Sequence, residues 1–186
     1  MTGPGKAPAP ASGRRGALMA AAGALAGLAG FGLAKWQPWS QTRQADLSGF
    51  WARNFPTPEG GSLSMAGLRG QPLLINFWAT WCPPCVQELP LLSRFYTENK
   101  ANGWQVVGLA VDRDDAVRRF LGRAPVSFPV GMAGMTTGVE LMRPLGNAKG
   151  ELPFTVVLDA NGQLLGRATG QIDPDGLAAW RQAAAS

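Results

Sequence analysis

The chain's only two cysteines, Cys82 and Cys85, are separated by Pro83 and Pro84 and stand just after Leu73–Trp78, a run that is apolar at nearly every position. Such a short, bounded run predicts a strand covered on both faces, because a half-exposed strand would alternate apolar and polar residues. The proline pair constrains the next element. Proline lacks the N–H that a helix interior needs, but the first turn tolerates it, since that N–H has no partner there. A buried strand, a short turn and a helix opening on Pro83 and Pro84 are therefore expected, and they point to an α/β fold.

The rest of the chain extends that pattern. Val86, Leu89, Leu92 and Phe95 mark the buried stripe of the helix, which Pro90 is expected to kink. Trp104–Val111 reads as a second continuous apolar strand. Asp114 and Asp115 open a helix running to about Leu121, their charges matching the positive end of its dipole. A short strand around Phe128–Val130 and a short helix near Gly138–Met142 lead to Gly150. Phe154–Leu158 and Gln163–Ala168 form a hairpin across Asp159-Ala160-Asn161-Gly162, and a last helix starts at Asp173 or Pro174 and ends near Ala184. Strand, helix, strand, helix, hairpin and closing helix give a mixed sheet flanked by helices. Residues 37–57 read as a linker with at most a short strand near Phe50 and Trp51, and residues 58–186 as the folded domain.

The chain has no histidine, so it cannot by itself build a Ser-His-Asp triad, a His-ligated haem or a four-ligand Cys/His zinc site. The two cysteines leave several readings. A structural disulfide across this spacing closes a very small loop and gains little chain-entropy stabilisation. Half a zinc site finds no second pair to complete it. C-x-x-C beside a strand–helix pattern is the redox motif. Cys82 falls at the helix N-terminus, where free N–H groups and the dipole favour a thiolate, and the thiolate is the attacking species in disulfide exchange. Cys82 is thus the expected nucleophile and Cys85, one turn deeper, the resolving thiol.

From Leu63 onward the chain resembles the TlpA/ResA-like family of membrane-tethered, thioredoxin-like thiol-disulfide oxidoreductases. The residues that carry the resemblance are G-Q-P-L-L-I-N-F-W-A-T-W-C-P-P-C-V-Q-E-L-P-L-L, Gly70 to Leu92, and E-L-P-F-T, Glu151 to Thr155. It implies a thioredoxin-like fold and a redox-active Cys82–Cys85 pair. Glu88, one helical turn past Cys85, is by its residue type either a solvated edge acid or a buried proton acceptor; the resemblance implies the second. Thioredoxin carries a buried Asp six residues before its first cysteine, whereas Asn76 stands here and cannot take a proton. The resemblance also implies a cis peptide at Pro153, with the backbone of Leu152 offered to an extended substrate. An ordinary proline at a strand entry is the plainer alternative. Trp81 is expected to wall the site, or else to pack in the core. Met132, Met135 and Met142 are potential soft-metal donors, but methionine more often fills a core.

The net charge of +5 is not spread evenly. Residues 1–43 hold Lys6, Arg14, Arg15, Lys35 and Arg43 with no acid, while the remainder balances 12 basic against 12 acidic residues. This argues against a basic nucleic-acid surface. Residues 1–13 are Pro/Ala/Gly-rich and expected to be a disordered cytoplasmic tail. Within 14–36, Arg14 and Arg15 precede Gly16–Ala34, 19 residues without a charge, and Trp36 comes directly after Lys35. That length just spans a bilayer core, and basic residues ahead of it place the rest of the chain outside. The segment is a signal anchor, or else a signal peptide cleaved near Ala34. Ala17 departs from the large apolar residue that a twin-arginine signal prefers.

Taken with the resemblance, these features predict an enzyme on the periplasmic side of a bacterial inner membrane. It would reduce disulfides of exported proteins such as apocytochrome c or oxidase-assembly factors. It would need no cofactor, and a membrane electron carrier would re-reduce it. A disulfide oxidase of folding proteins is the first alternative. A Cu(I)-handling chaperone would be expected to add a histidine ligand, and a peroxiredoxin-type peroxidase a lone cysteine after threonine; this chain has neither.

Overall fold

The computed structural model describes residues 47–184. Its centre is strand β3 (Leu73–Trp78), buried at every position. β3 pairs in parallel with β4 (Gln105–Ala110) on one side and antiparallel with β6 (Phe154–Leu158) on the other. β5 (Val130–Met132) and β7 (Leu164–Thr169) complete a mixed five-stranded sheet in the order β5-β4-β3-β6-β7. The alternation of side chains along β3 divides the core in two. Leu74 and Trp78 join one apolar cluster, beneath α2 (Pro83–Asn99), α3 (Asp114–Leu121) and α5 (Pro174–Ala183). Leu73, Ile75 and Phe77 join the other, which includes residues of α1 (Ser48–Trp51) and α4 (Met135–Met142). A two-stranded hairpin, β1 (Asn54–Pro56) with β2 (Ser62–Ser64), packs on that second face. This is the thioredoxin-like arrangement of a mixed sheet flanked by helices.

Several elements differ from the sequence-based expectation. Leu47, Phe50, Trp51 and Phe55 fall in the segment expected to be a linker, yet all four are buried in the second cluster. Phe50 and Trp51 lie on a single helical turn, not a strand. Their role is to cover the sheet face that α2 leaves bare. β5 starts two residues later than expected because Pro129 has no N–H to give the ladder; it contributes only its carbonyl, to the Gly108 N–H at 3.0 Å. α4 starts three residues earlier than expected. Gly138 sits inside it, where a Cβ would meet Val111 Cγ2 at 2.7 Å, so this glycine serves close packing and not a helix start. On α2, Val86 is only half-buried, and Cys85, Glu88, Leu89, Leu92 and Phe95 form the inward stripe. The helix runs unbroken through Pro90, whose side chain faces solvent.

The hairpin β6–β7 turns through Asp159–Gly162, with Gly162 N–H donating to the Asp159 carbonyl at 2.9 Å. Asp173 caps α5 through the Gly176 N–H at 2.7 Å. Among the described residues no helix is long and apolar enough to cross a membrane, and Gly16–Ala34 lies outside them, as does the expected tail 1–13.

Candidate active site

β3, β4 and β5 run parallel, so their C-terminal ends share one edge of the sheet, and antiparallel β6 begins there. Cys82 lies just beyond that end of β3, with extended backbone, as the N-cap of α2. Its carbonyl accepts the first helical hydrogen bond, from the Val86 N–H at 3.1 Å. Pro83 and Pro84 occupy the first two helical positions and have no N–H. The first N–H the helix offers is therefore that of Cys85, and it points at Cys82 Sγ, 3.4 Å away. A thiolate formed there would gain a charge-assisted hydrogen bond and the positive end of the helix dipole, an effect of about 0.3–2 kcal/mol.

The two sulfurs are joined as a disulfide. Cys82 is 5% exposed and Cys85 0%, so an incoming sulfur reaches Cys82 first. Trp81, next to it, is 59% exposed. It stands in solvent beside the disulfide and is not a core residue. The turn that carries Trp81 is tied down by Asp112 at the end of β4. Thr80 donates both its N–H and its hydroxyl to Asp112 Oδ2, at 2.8 and 2.6 Å, and the Arg113 N–H donates to Oδ1 at 2.7 Å.

At the head of β6 the Leu152–Pro153 peptide is cis, as the resemblance implied. Pro153 is buried and Leu152 half-buried, and the Pro153 carbonyl accepts from the Gly170 N–H at 2.8 Å. The pairing of Phe77 with Phe154 brings this segment to the same sheet edge as Cys82.

Glu88 is buried, not a solvated edge acid. Both carboxylate oxygens accept a hydrogen bond: Oε1 from Asn76 Nδ2 at 2.7 Å, Oε2 from the Ile172 N–H at 3.0 Å. Burial pushes its pKa above the usual carboxylate range, against the opposing pull of those two donors. Asn76 and Thr155 are directly opposed across β3 and β6, on the face that α2 covers. Asn76 Nδ2 spends its second hydrogen on Thr155 Oγ1 at 2.9 Å, while Asn76 Oδ1 has no hydrogen-bond partner among the described residues.

Thus Trp81, Cys82, Leu152 and Pro153 share one edge, with Cys85 and Glu88 behind them. Asn76, Thr155, Thr80, Asp112 and Ile172 join the site without having been singled out for these contacts. The available signal was one polar residue in each of two apolar strands, L-L-I-N-F-W and F-T-V-V-L. Pairing them required the register. The methionines do not converge: Met132 belongs to the cluster under α2, Met142 to the opposite one, and Met135 is exposed. Among the described residues no three His, Cys, Asp or Glu side chains gather as a metal site.

Comparison with known proteins agrees with this geometry. The profile of the family described as Redoxin matches residues 50–179. A thiol-disulfide oxidoreductase ResA of Bacillus thuringiensis (strain Al Hakam) is 30% identical over 114 residues, 61% of this chain and 63% of the relative. The match thus spans just under two thirds of that relative's length. A crystal structure of a thiol:disulfide interchange protein of the thioredoxin family from Chlorobium tepidum TLS is similar with a TM-score of 0.58 and 28% identity, over 72% of this chain and 90% of that one. StoA from Bacillus subtilis is similar with a TM-score of 0.56 and 25% identity, over 69% and 95% respectively.

Proposed function

The chain belongs to the Redoxin family, and from that membership we propose that it is an exported thiol-disulfide oxidoreductase that reduces disulfides in other exported proteins. The observation that carries the reading is the Cys82–Cys85 disulfide at the α2 N-terminus, its outer sulfur reachable and its inner one buried, with the buried Glu88 one helical turn further along. In the reduced enzyme, the Cys82 thiolate attacks a substrate disulfide and expels one substrate thiolate, which takes a proton from solvent. A mixed disulfide now joins Cys82 to the substrate. Cys85 then gives its proton to Glu88 and attacks Cys82 Sγ. The second substrate thiolate leaves and is protonated in turn. Two electrons pass from the dithiol to the substrate, and the enzyme is left as the disulfide. Leu152 presents its backbone to the substrate chain beside cis-Pro153, and Trp81 walls the approach.

The names borne by the relatives support the chemistry; the N-terminal pattern supports export. Arg14 and Arg15 ahead of the uncharged Gly16–Ala34 argue for a domain on the periplasmic side of an inner membrane, held by an anchor or freed by cleavage near Ala34. Substrates of the proposed kind are apocytochrome c or oxidase-assembly factors, and a membrane electron carrier restores the dithiol.

Equilibration of the protein across buffers of graded thiol–disulfide poise, read by thiol alkylation, tests the chemistry. One two-electron transition is expected, lost when either cysteine is replaced by serine. A pair that stays oxidised under every reducing poise, or a variant that still shows the transition, would sink the reading. Alkylation in intact cells tests the direction: a largely reduced pair supports a reductase, a largely oxidised pair an oxidase.

A further inference from the structure

Glu88 has a second set of connections that disulfide exchange alone does not require. Its Oε1 is held by Asn76, whose other N–H holds Thr155, two residues after Pro153. Its Oε2 is held by the Ile172 N–H, and two residues earlier the Gly170 N–H holds the Pro153 carbonyl. Two independent arms therefore run from one buried carboxylate to the same strand head, one through side chains and one through backbone. We propose that these arms couple the charge on Glu88 to the Leu152–Pro153 edge, so that proton uptake by Glu88 loosens the edge on which the substrate chain pairs.

Both carboxylate oxygens already face a donor. Each oxygen keeps a second lone-pair site that a proton can take, and the loss of negative charge weakens both oxygens as acceptors. On the Ile172 side the donor is backbone and cannot turn round. On the Asn76 side the amide can reverse to offer Oδ1, but its NH2 would then occupy the place where Oδ1 finds no partner. Neither arm passes through protonation unchanged, and Asn76 is a positioning residue in both states.

The groups facing Glu88 leave it as the switch. Cys85 lies one turn back on α2, Asn76 on β3 and Thr155 on β6 are neutral, and the segment ahead of α5 offers the Ile172 backbone. The nearest acid on that segment, Asp173, is occupied in capping α5. The inference rests on the proposed proton transfer from Cys85 to Glu88. In that sequence Glu88 becomes protonated as the second substrate thiolate leaves, so the edge would relax at product release. By linkage, a bound chain would in turn lower the proton affinity of Glu88.

The test uses the oxidised wild-type protein, in which neither cysteine titrates. The Glu88 side-chain carboxyl carbon and the backbone amides of Leu152, Gly170 and Ile172 are followed by NMR from about pH 4 to about pH 9. The expected result is one titration curve with a shared midpoint for all four, absent at the three amides in Glu88→Gln. Leu152 and Gly170 amides that stay flat while Glu88 titrates would overturn the coupling and leave the proton-acceptor role standing. A Glu88 that does not titrate in this range would overturn both.

Discussion

At the scale of single residues, the site turns on a carboxylate that burial disfavours and hydrogen bonds defend. The folded protein holds a proton on Glu88 more tightly than the unfolded chain does, since its pKa is raised on folding. The folded state then binds more protons in the window above the ordinary glutamate value of about 4.3, and stability falls as pH rises through that window. Urea unfolding of the oxidised protein at stepped pH should show this decline, and Glu88→Gln should remove it; a wild-type slope unchanged by the substitution would contradict the account. Asn76→Leu removes the closest donor to the carboxylate. A hydrogen bond to a charged group contributes about 1.5–3 kcal/mol, so the Glu88 midpoint should rise by about one to two pH units, read by carboxyl NMR. A midpoint that stays put would show that Asn76 does not defend the charge. The cysteines were legible in the sequence because proline starts the helix at them. One turn separates 85 from 88, but that spacing leaves Glu88 open between a surface acid and a buried one, and only the family resemblance favours burial. Asn76 and Thr155 are 79 residues apart, and only the β3–β6 register makes them neighbours.

At the scale of elements, α2 aims the chemistry while α1 and the β1–β2 hairpin close the sheet face it leaves open. The central strands and the α2 start were readable because burial on both faces and a proline pair leave few alternatives. The N-terminal cover was not. α1 is one turn long, β1 and β2 are three residues each, and neither period of 3.6 nor of 2 can establish itself over so few positions. Phe55→Ala measures whether this cover belongs to the core. Phe55 is buried against the second cluster, and its truncation should cost about 3–5 kcal/mol in urea unfolding; a loss under about 1 kcal/mol would return the segment to a linker. Gly131→Ala probes the same contact from β5, where a Cβ would meet Phe55 Cβ at 2.8 Å and Leu109 Cδ2 at 3.0 Å. Overpacking of this kind should cost about 1–3 kcal/mol and leave the redox midpoint of the cysteines unchanged. A shifted midpoint would mean that the second face communicates with the disulfide.

At the scale of the whole molecule, the charge is divided between a basic N-terminal stretch of 43 residues and a remainder that is neutral. The proposed topology, a cytoplasmic start, a span and a balanced domain beyond it, would account for that division. If the span is retained as an anchor, alkaline carbonate should leave the full chain in the membrane pellet, while protease added from the periplasmic side should digest the domain. Release of a shortened chain would instead mark cleavage near Ala34, and protection from protease would contradict export. The order of the two sulfurs joins the reachable Cys82, the sheltered Cys85 and the buried Glu88 into one reaction. Trapping in cells measures it directly. Full-length Cys85→Ser should accumulate mixed disulfides with other exported proteins, all through Cys82, and Cys82→Ser should accumulate none. Mixed disulfides formed by Cys82→Ser alone, or by neither variant, would contradict it.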